Sequence, residues 1–173
     1  MSGALTLRRA RQSDSRLLLG WRNDPATRDA SRTTDAVTAE EHAAWLETVL
    51  ADPDRHLLIA EAGGAPVAQL RIERRRGYRY ELSVSVDPGQ RGQGLGTTLI
   101  AGACEWAWLA TNAVVVEAWV RSENQASLRA FAKAGFRAGE GSRPGFAALR
   151  LARPEPFAPE RPIDRERRLP FSG

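Results

Sequence analysis

Cysteine and lysine are nearly absent from this sequence. Cys104 is the only cysteine, so a disulfide within the chain is excluded, and no Cys/His cluster has the spacing of a zinc site. No apolar run approaches the roughly 20 residues that a membrane-spanning helix requires. The first residues also lack the apolar stretch of a signal peptide. We therefore expect a cytoplasmic protein with no metal and no membrane partner.

The basic side chains are almost all arginine. Lys133 is the only lysine among 25 basic residues, and the net charge is +4. A basic balance can indicate a nucleic-acid partner or a phosphate-bearing ligand. The arginines run along the whole chain, however, and the densest clusters, at 74–76 and 165–168, are typical of a solvated hairpin tip and a proline-rich tail. A small phosphate-bearing ligand is therefore favoured over nucleic acid.

Hydrophobic periodicity and turn residues predict one α+β domain over residues 1–153. The predicted order is β-α-α-β-β-β-α-β-α-β-β, a sheet of about seven strands, antiparallel at first and mixed later, with about four helices. Thr38 and Glu41 have capping-box spacing at the start of one helix. Asn23-Asp24-Pro25 is predicted to break the helix before it. Residues 154–173, rich in proline and arginine, are predicted to be extended or disordered.

A glycine-rich segment follows the third strand of the predicted meander. Its glycines lie just before a long helix, where unsatisfied N–H groups and the helix dipole suit a phosphate or pyrophosphate. A Walker A loop is excluded because the segment has no lysine, and the spacing G-x-G-x-G differs from the dinucleotide fingerprint. The acyl-CoA pattern R/Q-x-x-G-x-G/A is satisfied by Arg91, Gly94 and Gly96.

Two ordered motifs give the chain a resemblance to a known family. Residues 84–98 resemble the cofactor-binding motif of the GNAT N-acetyltransferase superfamily, and residues 121–136 resemble its second signature, N-x-x-[AS]-x-x-x-[YF]-x-[KR]-x-G-F. The resemblance covers about residues 4–152. It implies the GNAT fold, in which the antiparallel meander is followed by a parallel strand pair. It also implies acetyl-CoA as cosubstrate, without a metal.

The same resemblance implies which residues bind the cofactor. The strand at 84–86 would pair with the pantetheine arm through its backbone, and the loop at 91–97 would hold the pyrophosphate. Asn124 would contact the pantetheine, with Ser127 close by. The implied set is Val84, Ser85, Val86, Arg91, Gly92, Gln93, Gly94, Leu95, Gly96, Thr97, Asn124 and Ser127.

A looser resemblance covers about 25 residues near the N-terminus. Trp21, Arg22, Asn23, Arg28 and His42, with the tryptophan that follows three residues after the histidine, resemble W-R-N…R…H-x-x-W. The pattern is similar to acetyltransferases of nucleotide-linked amino sugars and of ribosomal-protein N-termini. Forked arginine donors suit phosphate, and a tryptophan could stack on a base. We therefore expect these residues to bind the acceptor.

Catalysis requires that the attacking amine lose a proton, so a base or a water chain is expected. Three residues are considered. Glu81 stands on the third meander strand and could instead face solvent, and Glu117 shares a strand face with Trp119 and Arg121 and could instead pair with Arg121. His42 has a suitable intrinsic pKa, but its helical spacing to the next tryptophan favours packing or nucleotide contact. Many family members place a tyrosine, as the acid for the leaving thiolate, where this chain has Phe131. Either another group donates that proton, or the thiolate leaves unprotonated.

The sequence thus predicts acetyl transfer from acetyl-CoA to a primary amine by direct attack in a ternary complex. The preferred acceptor is the amine of a nucleotide-linked amino sugar or a similar small metabolite. Two alternatives stay open: an acetyltransferase of a protein N-terminus or of an aminoglycoside-type amine, and a non-catalytic acyl-CoA-binding module. No nucleic-acid partner is expected, and a homodimer is an open alternative.

Overall fold

The structure is a computed structural model that describes residues 5–154 of the 173-residue chain. Within that range it contains seven strands and five α-helices. The elements are β1 (Leu5–Arg9), α1 (Ser15–Asn23), α2 (Pro25–Ala30), α3 (Ala39–Ala51), β2 (Arg55–Ala62), β3 (Ala65–Arg76), β4 (Arg79–Val86), α4 (Leu95–Ala110), β5 (Val115–Arg121), α5 (Gln125–Lys133), β6 (Arg137–Ala138) and β7 (Phe146–Ala152). Apart from Pro154, the predicted C-terminal tail lies outside the described residues.

All seven strands form one mixed sheet in the order β1-β2-β3-β4-β5-β7-β6. The first four strands are antiparallel neighbours, β4 and β5 are parallel, and β7 is antiparallel to both β5 and β6. The predicted meander followed by a parallel pair is therefore confirmed. The long helix α4 connects the two parallel strands, because parallel neighbours need a crossover.

One face of the sheet packs against α4 and α5 and carries the main apolar core. Alternate residues of β3, β4 and β5 point toward these helices, as period-2 side-chain alternation requires. Ile72, Leu82 and Val116 from the strands meet Leu99 and Ile100 of α4, and each of the five is at most 2% exposed. We expect this layer to supply most of the apolar burial that stabilises the domain.

The opposite face divides into an apolar end and a polar end. At the apolar end, α1 and α3 cover β2: Leu18 and Trp21 of α1, Leu46 of α3, and Leu57 and Ile59 of β2 form a second buried cluster. Farther along the sheet, the same face of β3, β4 and β5 carries charged residues. The polar end is therefore where ligand chemistry can take place.

The helical region between β1 and β2 contains one helix that sequence reasoning missed. Asn23-Asp24-Pro25 was expected to break the helix before it, and α1 does end at Asn23, but a new helix, α2, begins at Pro25. Asp24 accepts the N–H of Thr27 at 2.9 Å and so caps the new helix. Proline is favourable at the first helical position because it has no N–H to leave unsatisfied. The predicted capping box is confirmed, since Thr38 and Glu41 bond reciprocally at the start of α3.

Candidate active site

β4 and β5 pair over only three residues and then separate. The last register pair is Glu81 with Glu117. Beyond it, β4 stays paired with β3 as far as Val86, and β5 pairs with β7 as far as Arg121. Within the described chain, the backbone of residues 82–86 on the β5 side therefore has no strand partner. An open strand edge of this kind offers N–H and C=O groups to an extended ligand.

The glycine loop lies at the end of β4, next to this open edge. Gly92 and Gly94 both have a φ of +77°, in the left-handed region that residues with a Cβ rarely adopt. Gly94 is the N-cap of α4, and no side chain caps that helix end. The first N–H groups of α4 therefore remain available for an anion. These residues fit a pyrophosphate-bearing group such as that of CoA.

Gly96 is a glycine for a different reason. It belongs to α4, and a Cβ built there would come within 3.2 Å of the Cβ of Ala130 on α5. The absence of a side chain at this position therefore lets α4 and α5 approach closely below the loop. The third glycine of the motif supports the site through helix packing.

Three hydrogen bonds tie the glycine loop to α1 and α2. Arg91 Nη2 donates to Asp24 Oδ1 at 2.6 Å and to Thr27 Oγ1 at 2.7 Å. Trp21 Nε1 donates to Asp87 Oδ2 at 2.5 Å, and Asp87 Oδ1 accepts from a backbone N–H in the loop. The hydrogen bond from Arg91 lowers the pKa of Asp24. The loop and the N-terminal helices are thus linked by hydrogen bonds.

The start of α5 contributes the remaining cofactor candidates. Asn124 is the N-cap of α5, and its Oδ1 accepts the N–H of Ser127 at 3.0 Å. That bond fixes the amide, and its Nδ2 donors have no bond to another described residue. Phe131 lies about two turns beyond Asn124, 4% exposed and packed edge-on against Phe136. It cannot serve as an acid, because it is an apolar side chain in the core.

A row of three carboxylates crosses the polar end of the sheet. Glu73 on β3, Glu81 on β4 and Glu117 on β5 are register neighbours, and Glu81 and Glu117 stand where the two strands separate. Glu73 and Glu81 are 5% and 9% exposed. Burial of these charges is tolerable only because each carboxylate is ion-paired.

Arginines supply those partners. Glu73 contacts Arg55 at 3.0 Å, Arg71 at 3.4 Å and Arg75 at 2.7 Å. Glu81 Oε1 accepts from Arg32, and its Oε2 accepts from Arg75 at 3.0 Å. Arg32 belongs to the segment between α2 and α3, so a residue far away in sequence completes this site.

Glu117 has a different partner from the one that sequence reasoning considered. Its Oε1 accepts from Arg79 Nη1 at 2.5 Å, so the alternative of an ion pair with Arg121 is wrong. Arg121 instead donates to the backbone carbonyl of Ser31 at 2.8 Å and lies over the ring of Phe146. The parallel register explains the difference, because it brings the start of β4 beside Glu117.

The residues of the W-R-N…R pattern hold the segment at 31–38. Arg22 donates to the carbonyls of Thr33 and Asp35, Arg28 donates to the carbonyl of Thr34, and Asn23 both donates to and accepts from the backbone of Val37. Arg22 Nη2 and Arg28 Nε, expected to reach a phosphate, thus bond the chain itself and fix the segment that carries Arg32, while Arg22 Nη1 is buried without a partner in the described structure.

The aromatic residues of the same pattern are mostly packed. Trp21 is 4% exposed and His42 is 3% exposed, so the stacking role expected for Trp21 is corrected to a core role. Burial lowers the pKa of His42, which lies 5.2 Å from the ring of Trp45. Trp45 is only partly buried and is the indole of this pair that still presents surface.

One further arginine at the site was not found from the sequence. Arg143, in the turn before β7, lies over the ring of Trp119 at 4.4 Å and over that of Phe146 at 5.8 Å. Arg121 lies over the same Phe146 ring at 4.6 Å. Nothing in the spacing of the 139–145 turn signals this arrangement, because it depends on how β7 returns beside β5.

Comparisons with known proteins agree with this geometry. A family model described as Acetyltransferase (GNAT) domain matches residues 4–137. Among solved structures, the aminoglycoside acetyltransferase AAC(6')-Ib in complex with coenzyme A has 20% identity and a TM-score of 0.74, covering 86% of this chain and 95% of that one. Spermidine N-acetyltransferase from Vibrio cholerae, in complex with CoA and spermine, has 16% identity and a TM-score of 0.77, with 86% and 95% covered.

A third similar structure is yncA of Salmonella typhimurium, described as an acetyltransferase with its cofactor acetyl-CoA. It has 24% identity and a TM-score of 0.73, with 91% and 99% covered. No curated protein matches the sequence significantly. Between residues 5 and 154, no helix is both long and apolar enough to cross a membrane. In the same range, no three His, Cys, Asp or Glu side chains come together so that they could hold a metal ion.

Proposed function

Because this chain belongs to the GNAT acetyltransferase family and is an acetyl-CoA-dependent N-acetyltransferase, we propose that it acetylates a primary amine of a small metabolite at the opening between β4 and β5. The observation that carries the proposal is the position of Glu81 and Glu117. They stand at the last paired position of the two strands, on the polar end of the sheet. The acceptor approaches from that face.

Acetyl-CoA binding is assigned to three parts of the chain. The open edge of residues 84–86 would bind the pantetheine through backbone groups, and the glycine loop at 91–97 would bind the pyrophosphate. Asn124, already oriented by Ser127, offers its free Nδ2 to a pantetheine carbonyl. Bound acetyl-CoA supplies an activated thioester. Backbone N–H groups near Val84 are proposed to stabilise the negative charge that forms on its oxygen.

Glu81 is proposed to bind the ammonium form of the acceptor and to accept its proton, directly or through water. Its two oxygens already accept from Arg32 and Arg75, but an ionised carboxylate has about four lone-pair sites and can accept from an ammonium as well. Glu117 is the second candidate, since only its Oε1 has a partner in the described structure. The acid for the leaving thiolate is not Phe131, so the thiolate either leaves unprotonated or takes its proton from another group.

Direct attack in a ternary complex is favoured over an acetyl-enzyme intermediate. Cys104 is the only cysteine, and it lies on the buried face of α4 with 1% exposed. Burial raises the pKa of its thiol to about 12. A thiol that is both inaccessible and protonated cannot act as a nucleophile.

The acceptor is proposed to be a small amine rather than a protein N-terminus. Support comes from the neighbours, whose acceptors by name are aminoglycosides and spermidine. A nucleotide-linked amino sugar stays within the proposal. Arg22 Nη2 and Arg28 Nε already bond the chain, so any contact with its phosphates would use the remaining donors of these two arginines.

The test is an acceptor screen that reports free CoA. Small amines, amino sugars, nucleotide-linked amino sugars and short peptides are each supplied with acetyl-CoA. Thioester consumption that depends on a small amine, together with a product heavier by one acetyl group, supports the proposal. Turnover restricted to peptides would favour the alternative that the chain acetylates a protein N-terminus. CoA binding without turnover on any amine would indicate a non-catalytic acyl-CoA-binding module.

A further inference from the structure

The polar end of the sheet has more guanidinium groups than carboxylates. Its ion pairs join Arg32, Arg55, Arg71, Arg75 and Arg79 to only three glutamates, Glu73, Glu81 and Glu117. Arg121 and Arg143 add two more cations, and neither makes an ion pair with a residue in the described range. A surface built only to attract an ammonium would have the opposite balance.

Arg121 and Arg143 also have donors that nothing in the described structure satisfies. Arg121 Nε and Arg143 Nη1 are buried without a hydrogen-bond partner. A buried donor that is left unsatisfied costs about 1–3 kcal/mol, so such groups usually indicate a missing ligand or water. Here two of them come from like-charged side chains over the same aromatic ring, Phe146.

The two guanidiniums lie beside the proposed acceptor position. Arg121 shares a face of β5 with Glu117, and it bonds the carbonyl of Ser31, the residue before Arg32. Arg143 interacts with the charges of Arg32, Arg75 and Glu81. Partial burial, together with the two arginines, lowers the pKa of Arg143, and Glu81 opposes that effect.

Resting on the proposed function, we infer that the acceptor carries an anionic group as well as its amine, and that Arg121 and Arg143 bind this anion while Glu81 receives the amine. The anion is a carboxylate or a phosphate, because both match the forked donors of a guanidinium. Trp119 and Phe146 hold the two guanidiniums in place by stacking on them. Amino acids, amino sugar phosphates and nucleotide-linked amino sugars belong to this class, whereas spermidine does not.

The experiment uses pairs of amines that differ only in the anion: an amino acid against its amide, and glucosamine 6-phosphate against glucosamine. The kcat/KM of each is measured on the parent protein and on Arg143→Gln, Arg121→Gln and Arg137→Gln. Arg137 is an exposed arginine on the edge strand β6 and serves as the control. The two kinds of pair distinguish carboxylate from phosphate.

In the parent protein, we expect the anionic member of at least one pair to have a kcat/KM about tenfold or more above that of its neutral partner, as one charge-assisted contact allows. Arg143→Gln and Arg121→Gln should reduce this ratio toward one, while Arg137→Gln preserves it. Arg143→Lys, which keeps the charge but loses the fork, should give an intermediate ratio. Unchanged CoA affinity establishes that the variants are folded.

Equal or better use of the neutral members would overturn the inference, as would an anion preference that survives both arginine variants. Either result leaves acetyl transfer itself intact. If no amine is turned over, the proposed function fails. The anion site is then decided by calorimetric titration of the same pairs onto the CoA complex. If the neutral members bind this complex as tightly as the anionic members do, the proposed anion site is refuted by titration as well.

Discussion

The two faces of the sheet differ in the interactions that stabilise their buried side chains. Toward α4 and α5, Ile72, Leu82 and Val116 are excluded from water by shape and packing alone. On the opposite face, one residue away along the same strands, Glu73, Glu81 and Glu117 are held by arginines that come from several elements. The stability of the apolar face depends on how well its side chains fill the space, so it tolerates few changes in side-chain size. The polar face is held by ion pairs, which a charged ligand can rearrange.

The largest effect is expected at Glu81, and it would establish that the polar face performs the chemistry. Glu81→Gln should lower kcat by about 10²–10⁴, the usual contribution of a general base, with CoA affinity unchanged. The defect should shrink as the pH rises, because more of the acceptor amine is then already deprotonated. Glu117→Gln is the matched variant on the next strand, and a larger loss there would reassign the base.

Ile72→Ala tests the opposite face. Ile72 is 0% exposed, so truncation should leave a cavity and lower the free energy of unfolding by about 2–5 kcal/mol. Ser83→Ala, on the exposed side of β4, should change that free energy by less than about 0.5 kcal/mol. Denaturant melts of both variants give the comparison. Similar losses for the two would mean that the polar face also contributes through tight packing.

His56 is a titratable group enclosed by the apolar face, where it lies 5.1 Å from the ring of Trp106. Burial, with the charge of Arg9 second, lowers its pKa to about 4 from 6.5. Between these values the unfolded chain binds a proton that the folded chain does not. The free energy of unfolding should therefore fall by up to about 3 kcal/mol as the pH drops through this window. Melts of His56→Phe should lack this component, and an identical pH slope would contradict it.

Gly94→Val separates ligand binding from stability. Gly94 has a φ of +77°. Gly64, which lies in the turn between β2 and β3, has a φ of +84°, and both have open space where a Cβ would stand. Valine should strain the backbone at either site. Only Gly94→Val should weaken CoA binding, by about a hundredfold, because the N–H groups of the loop lose their alignment. Calorimetry on both variants checks this. If folded Gly94→Val and the parent have equal CoA affinity, the loop does not bind CoA.

The smallest effect is expected at Arg28. Its Nε bonds the Thr34 carbonyl from an exposed position, so Arg28→Ala should loosen the segment at 31–38 and raise the acceptor KM about two- to tenfold. CoA affinity should not change, and Arg16→Ala, at an exposed position on α1, is the control. Uridine diphosphate could compete with the acceptor on the parent protein but not on Arg28→Ala. That result would instead indicate that Arg28 binds a phosphate directly, as the sequence first predicted.

Local patterns determined much of the fold. The alternation in β4, the capping box of Thr38 and Glu41, and the glycines around Gly94 were readable because each depends on neighbours within a few residues. The break after Asn23 was predicted, but the helix that follows it was missed, because Asp24 followed by Pro25 can either end one helix or begin the next. The choice depends on where the following segment packs.

The arrangement of the charges was decided only by the tertiary structure. A sequence rich in arginine offers many equivalent partners, and register alone brings Arg79 rather than Arg121 to Glu117. The fold likewise engages Arg22 and Arg28 with the backbone, carries Arg32 to Glu81, and stacks Arg121 and Arg143 over one ring. The sequence by itself determined the strands, four of the five helices and the glycine loop before α4, since these follow from local geometry. Which guanidinium pairs with which carboxylate depends on long-range packing, because any arginine can pair with any carboxylate that the fold brings within reach.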